Sequence, residues 1–180
     1  MHAILSRALI VLIEIACVFE SPTMITPDEL MRLAIDKCRQ GIAAGGSPFG
    51  CAIARGNEVL SVAHNLVLST TDITAHAEIV AIRGANRHTG DILLEGATVA
   101  TTCEPCPMCA AALHWARVER VYFGARIHDA TQAGFNELHV PIEQLFALGG
   151  SRVQLVPDLL AEECRALFSE WRNTPGTRSY

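Results

Sequence analysis

Two stretches constrain this chain more than any other feature: TAHAEIVAIR, from Thr74 to Arg83, and CEPCPMC, from Cys103 to Cys109. Between them His76, Cys106 and Cys109 offer three soft or borderline metal ligands, with Glu78 just beyond the histidine. Whatever else the chain does, it has to fold so that these segments meet. Seven cysteines, an odd number with three of them closely spaced, suit metal binding better than a disulfide framework and imply a reducing compartment. Cys17, Cys38, Cys51 and Cys164 fall among apolar residues and read as small hydrophobes.

At 180 residues there is room for one full hydrophobic core and not for two ordinary domains. The net charge of −5, with no run of Lys or Arg, argues against a partner held mainly by its phosphates. A small substrate fits better, with no nucleic acid and no membrane expected as partners. Residues Ala8 to Phe19 are apolar apart from Glu14, which raises the possibility of a secretory signal. Glu14 breaks the run, no small-x-small cleavage pattern follows, and the run is too short to span a bilayer. Residues 1–23 are therefore expected to be an N-terminal extension or a mis-assigned start, and residues 24–180 a single cytoplasmic domain.

Thr26-Pro27-Asp28-Glu29 is a strong helix start, with Thr26 as cap and Glu29 placed to complete a capping box, and predicts a helix over about 27–44. Phe49 to Ala54 and Val59 to His64 read as a hairpin. Ser69 to Asp72 reads as a loop, after which Thr74 can cap a helix carrying His76 and Glu78 in its first turn. Ala97 to Thr102 predicts a buried strand, and Pro107 to Ala116 a helix whose start carries Cys106 and Cys109 on one face. A strand over Val118 to Ala125, an irregular segment from Arg126 to His139, a short helix from Pro141 to Leu148, a strand over Arg152 to Val156 and a last helix from Asp158 complete the chain. A hairpin followed by alternating helices and strands points to an α/β sandwich with a mixed sheet.

Catalytic zinc takes three protein ligands and keeps a fourth position for water. Two thiolates neutralise the dication, so water here should be less acidic than at an all-histidine site, where its pKa falls to about 7. A base must share the proton, and Glu78 is placed to take it and pass it to a leaving nitrogen. The implied reaction is hydrolytic loss of ammonia from an amidine-like ring carbon. A rival reading is a closed structural site that adds Cys103 as fourth ligand, in a zinc-binding module without catalysis.

His-Ala-Glu followed by Pro-Cys-x-x-Cys is the signature of zinc-dependent nucleobase deaminases. From Met24 onward the chain resembles that family. The resemblance implies a cytidine deaminase-like, three-layer α/β/α sandwich, with a central five-stranded mixed sheet and one zinc per subunit between two helix starts. The stretches SPFGCAI, TAHAEIVAIR, CEPCPMCAAALHWAR, AGFNEL and the ending WRN…SY look most like bacterial guanine deaminases. Several are shared with tRNA adenosine deaminases, but AGFNEL and the aromatic C-terminus are not.

That likeness implies a role for each matching residue. Asn65 would hold the base, Phe49 would stack on it, Ala77 would touch it, and Glu137 would read the ring. Tyr180 would close the site of a neighbouring subunit in a homodimer with a swapped C-terminal segment. The implied activity is conversion of guanine to xanthine and ammonia. The alternatives are guanosine, cytosine, a triazine or, least consistent with an acidic chain, adenosine in tRNA. The chain departs from the pattern at Ser47 and Asn136, and at Glu137, which stands for an aspartate. His114, Trp115, His128 and His139 read as structural, with Trp115 a candidate pocket wall.

Overall fold

A computed structural model describes residues 24–180. The reading of residues 1–23 as an extension, and that of Cys17, lie outside the described residues. Five strands form one sheet: β1 (Gly50–Arg55), β2 (Glu58–His64), β3 (Thr98–Cys103), β4 (Arg120–Ala125) and β5 (Gln154–Val156), in the order β2-β1-β3-β4-β5. β1 runs antiparallel to β2 and β3, while β3, β4 and β5 are mutually parallel. Around the sheet lie α1 (Pro27–Ala43), α2 (Val67–Thr70), α3 (Ala77–Thr89), α4 (Pro107–Trp115), α5 (Ile127–Ala133), α6 (Ile142–Gly149) and α7 (Ala161–Arg172). This is the three-layer sandwich with a mixed five-stranded sheet that the sequence led us to expect.

The capping box at the start of α1 forms in full. The Glu29 N–H donates to the Thr26 hydroxyl at 3.2 Å, and the Thr26 N–H donates to the Glu29 carboxylate at 2.8 Å. Alternation along the strands then sorts the core into two faces. Ala52, Ala54 and Ala100 pack with Met31, Ile35 and Cys38 of α1 and Leu167 and Phe168 of α7. Cys51, Ile53, Val99 and Val121 pack with Ala77, Ala81 and Ala85 of α3 and Leu113 of α4. Small strand residues let α1 come close, and at Gly50 the approach leaves no room for a side chain. A Cβ there would lie 2.2 Å from the Ala34 carbonyl oxygen. Cys38, Cys51 and Cys164 are buried, as expected of small hydrophobes, and burial pushes their thiols up, Cys164 to about 12.

Three local expectations need correction. Helix α3 starts at Ala77 and not after Thr74, because Asp72 takes both the Thr74 N–H (2.8 Å) and its hydroxyl (2.6 Å). The expected loop at Ser69 to Asp72 begins with the last turn of α2, which closes on Thr71 at φ +53°. The segment from Arg126 to His139, expected to be irregular, opens with α5. Asp129 accepts the Arg126 N–H at 2.8 Å to start that helix, and Gly134, at φ +101°, ends it. No described helix is long and apolar enough to cross a membrane.

Candidate active site

The parallel strands fix where the site lies. α3 and α4 begin at the same end of the sheet, which brings their first residues together. His76 is the last extended residue before α3, Cys106 holds the same place before α4, and Cys109 lies in the first turn of α4. His76 Nδ1 is 3.6 Å from Cys106 Sγ and 3.7 Å from Cys109 Sγ, and the three ligand atoms lie within 4.8 Å of one another. Bonds of about 2.1 Å to nitrogen and 2.3 Å to sulfur around a tetrahedral zinc require an N···S separation of roughly 3.6 Å. The donor set and its spacing fit zinc without rearrangement. Cys103 ends β3 as expected, but its thiol is directed to the Arg126 carbonyl at 3.5 Å. Among the described residues the ligand cluster contains only the three atoms of a catalytic site, not the four of a closed structural one.

The two cysteines differ electrostatically. At the N-terminal end of α4 the Cys106 thiol is pulled down to about 4. The Cys109 thiol contributes most, burial opposes, and His76 and the Cys109 N–H assist. Cys109 moves the opposite way, held up by its bond to the Cys106 thiolate and by burial. One ligand is therefore ionised before metal arrives, and the second must lose its proton on binding. Burial opposes charge on His76, but the Cys106 thiolate and the Glu78 carboxylate outweigh it and raise its pKa.

Glu78 is 6% exposed. One oxygen accepts from the Thr101 hydroxyl at 3.1 Å and the other faces Cys109 Sγ at 3.5 Å. Burial and the neighbouring thiolate raise its pKa, against His76 and the bond from Thr101. A carboxyl raised in this way holds a proton more readily than an ordinary carboxylate, next to the metal ligands.

The β1–β2 register sets the next wall. Gly50 pairs with His64, and the Asn65 N–H bonds the Phe49 carbonyl at 3.0 Å, so Phe49 and Asn65 stand side by side. Asn65 is 2% exposed. Its side-chain oxygen is used by the Val67 N–H (3.1 Å), which leaves its NH₂ facing the site, where it donates to the Tyr180 hydroxyl at 2.7 Å. Phe49 packs edge-on against Phe135 and Phe168. Glu137 lines the same cavity. Burial and the Cys106 thiolate push its carboxyl above the ordinary range, against a pull from His76.

Phe49, Asn65, Glu78 and Glu137 thus share one cavity with His76 and Cys106. Ala77, the first residue of α3, stands between His76 and Glu78 with its side chain buried in the core, and it is not among the residues that line the cavity. Nor is Trp115, since it is 72% exposed on a separate apolar groove beside Phe146. Tyr180 folds over the site of its own chain, its carbonyl accepting the Asn136 N–H at 3.4 Å and its ring 5.6 Å from that of Phe135. With the tail so placed, about 20 Å³ remains free, room for about one water.

Two residues of the site had no sequence signal of their own. Thr101, which holds Glu78, is one of two adjacent threonines, and only strand alternation could have chosen between them. Glu104, which also lines the cavity, precedes the metal loop without any spacing rule to mark it.

A model of the cytidine and deoxycytidylate deaminase zinc-binding region matches residues 24–125. The chain belongs to that family. It is a zinc-dependent deaminase, a hydrolase of C–N bonds, with His76, Cys106 and Cys109 positioned to bind the metal. It is 32% identical over 154 residues to a guanine deaminase of Bacillus subtilis, covering 85% of this chain and 98% of the relative. It is also 36% identical over 145 residues to a tRNA-specific adenosine deaminase of the same organism, covering 80% and 88%. The solved structure of a guanine deaminase from Nitrosomonas europaea superposes with a TM-score of 0.76 at 26% identity, covering 83% of this deaminase and 86% of that chain.

Proposed function

We infer that this deaminase converts guanine to xanthine and ammonia. The observation that carries the reading is that a fixed donor, the Asn65 amide, and a carboxylate, Glu137, line one small cavity. Asn65 can offer only its NH₂, because its oxygen is held by Val67. Glu137 offers only acceptors when ionised. Guanine presents acceptors along its O6 and N7 edge and donors at N1 and the 2-amino group, which suits both walls. Adenine has no N–H at N1 to give Glu137, and a tRNA loop would have to pass the tail that covers the site. The near-full coverage of a guanine deaminase relative supports the same reading.

When bound, zinc would acidify a water molecule for attack. The residues of the chain do the rest. Phe49 stacks on the purine while Asn65 and Glu137 fix it in the plane, so that carbon 2 faces Glu78. Glu78 takes a proton from the attacking water and gives it to N3 as the oxygen bonds carbon 2, then carries the proton of the resulting hydroxyl to the exocyclic nitrogen. The C–N bond then breaks with ammonia leaving, and a carbonyl oxygen remains at carbon 2. Thr101 keeps the carboxylate directed at this exchange. Tyr180, whose hydroxyl accepts from the Asn65 amide, supplies the closing group over the site.

An ammonia-release panel of guanine, guanosine, cytosine, a triazine, adenine and a tRNA anticodon stem-loop tests this. Guanine should exceed every other substrate in kcat/KM by at least about a hundredfold, the discrimination expected where buried polar groups would otherwise go unpaired. Preferential release from the stem-loop would replace guanine by tRNA adenosine as the substrate.

A further inference from the structure

Glu104 occupies a place that neither the metal chemistry nor the base contacts use. It lies between β3 and α4, two residues before the ligand Cys106, and is 7% exposed. One carboxylate oxygen accepts the Ile142 N–H at 2.9 Å and the other accepts the Ile127 N–H at 3.2 Å. Ile127 is the first residue of α5 and Ile142 the first of α6. Both N–H groups are among those a helix start leaves without an internal partner. The residue before α6 is Pro141, which gives the helix no side-chain cap of its own. A second tie joins the same helix starts: Arg126, just before α5, bonds Glu143 in the first turn of α6 at 3.0 Å.

Between those two helices run residues 134–141, which include Phe135 and Glu137. Phe135 is packed between Phe49 and Trp171, and Glu137 faces the cavity. One buried carboxylate therefore grips the helices on both sides of the Glu137 segment, and the same residue is bonded through proline to Cys106. Its own N–H is in turn anchored to the Ala125 carbonyl at 2.8 Å.

We propose that Glu104 is a positioning residue that sets the distance between the metal loop and the Glu137 wall, and so tunes substrate selection without touching the substrate. A carboxylate is required because two N–H groups converge on it. An amide would meet one of them with its NH₂, donor against donor, and an aspartate would be too short to span both. This role rests on the reading of Glu137 as the group that accepts the N–H donors of the base.

The test compares zinc-loaded wild type with Glu104→Gln and Glu104→Asp, each alone and in a Glu137→Gln background. Each single variant should keep its zinc, hold kcat within about threefold and raise the KM for guanine at least about tenfold, the pattern of lost binding with the chemistry intact. In the Glu137→Gln background the same changes should add less than about twofold, because the residue they act through is already gone. An unchanged KM, a loss confined to kcat, or full additivity with Glu137→Gln would overturn the proposal.

Hydrogen exchange provides a readout independent of substrate. Residues 134–141 should exchange at least about tenfold faster in Glu104→Gln than in wild type, while the α1 amides are unchanged. If wild type fails to deaminate guanine, the substrate reading falls but this measurement still decides the role of Glu104. Unchanged exchange would overturn the role even if guanine is the substrate.

Discussion

The side-chain NH₂ of Asn65 donates to the Tyr180 hydroxyl at 2.7 Å, a bond that spans 115 positions of sequence. Tyr180 thus occupies the donor proposed above to hold the base, in a cavity with room for about one water. Substrate must displace the phenol and can then be covered by it. Deleting residues 175–180 is expected to leave zinc bound and to raise KM by about tenfold or more, as loss of a closing segment does. A tail that acts in cis predicts that mixing the truncated chain with full-length Glu78→Ala restores no activity, with mixed dimers shown to form. Rescue in mixed dimers would instead place the tail in the neighbouring site.

Glu78→Gln keeps the volume and one acceptor for Thr101 but cannot carry the proton. Turnover is expected to fall by about 10² to 10⁴ or more, the usual contribution of a positioned acid–base group, with zinc content unchanged. Single-turnover ammonia release and metal analysis together check this. Activity within tenfold of wild type would remove Glu78 from the shuttle.

Metal removal should expose the inequality between the two thiols. In the zinc-free protein Cys106, with its pKa lowered to about 4, is a thiolate at every pH above that value. Iodoacetamide should therefore label Cys106 at pH 6, with labelling lost only as the pH falls through the lowered pKa. Cys109 and Cys103, both shifted upward, should stay unlabelled there, and zinc should protect all three. Mass-spectrometric mapping that finds Cys109 labelled first would contradict the assignment. His76→Ala should lose zinc.

Ser47 is fully buried, and its hydroxyl has no hydrogen-bond partner among the described residues. An unpaired buried hydroxyl costs roughly 1–3 kcal/mol. Ser47→Ala is therefore expected to unfold at the same temperature as wild type or a few degrees higher, about 2–4 °C per kcal/mol for a chain of this size. A lower melting temperature would mean that the hydroxyl has a partner after all.

How much of this could be read in the sequence depended on the range of the interactions. The ligand set was legible because His76, Cys106 and Cys109 each sit beside a helix start, and local spacing fixes their direction. The start of α3 was misplaced because two capping residues competed and Asp72 took Thr74 for a turn. α5 was hidden because its residues, from Ile127 to Ala133, are too few and too polar to show a periodic stripe. Asn65 could be named, but not the orientation of its amide, which depends on Val67. The grip of Glu104 on Ile127 and Ile142 and the return of Tyr180 to Asn65 join residues remote in the chain, and no local pattern encodes such contacts.

β4 ends at Ala125, and every metal ligand lies before that point, as does Glu78. Glu137 and Tyr180 come after it. Reactivity and part of the selectivity are therefore written on consecutive lengths of polypeptide that meet at a single strand end. Glu104 is the point where the first length holds the second, through the amides of Ile127 and Ile142.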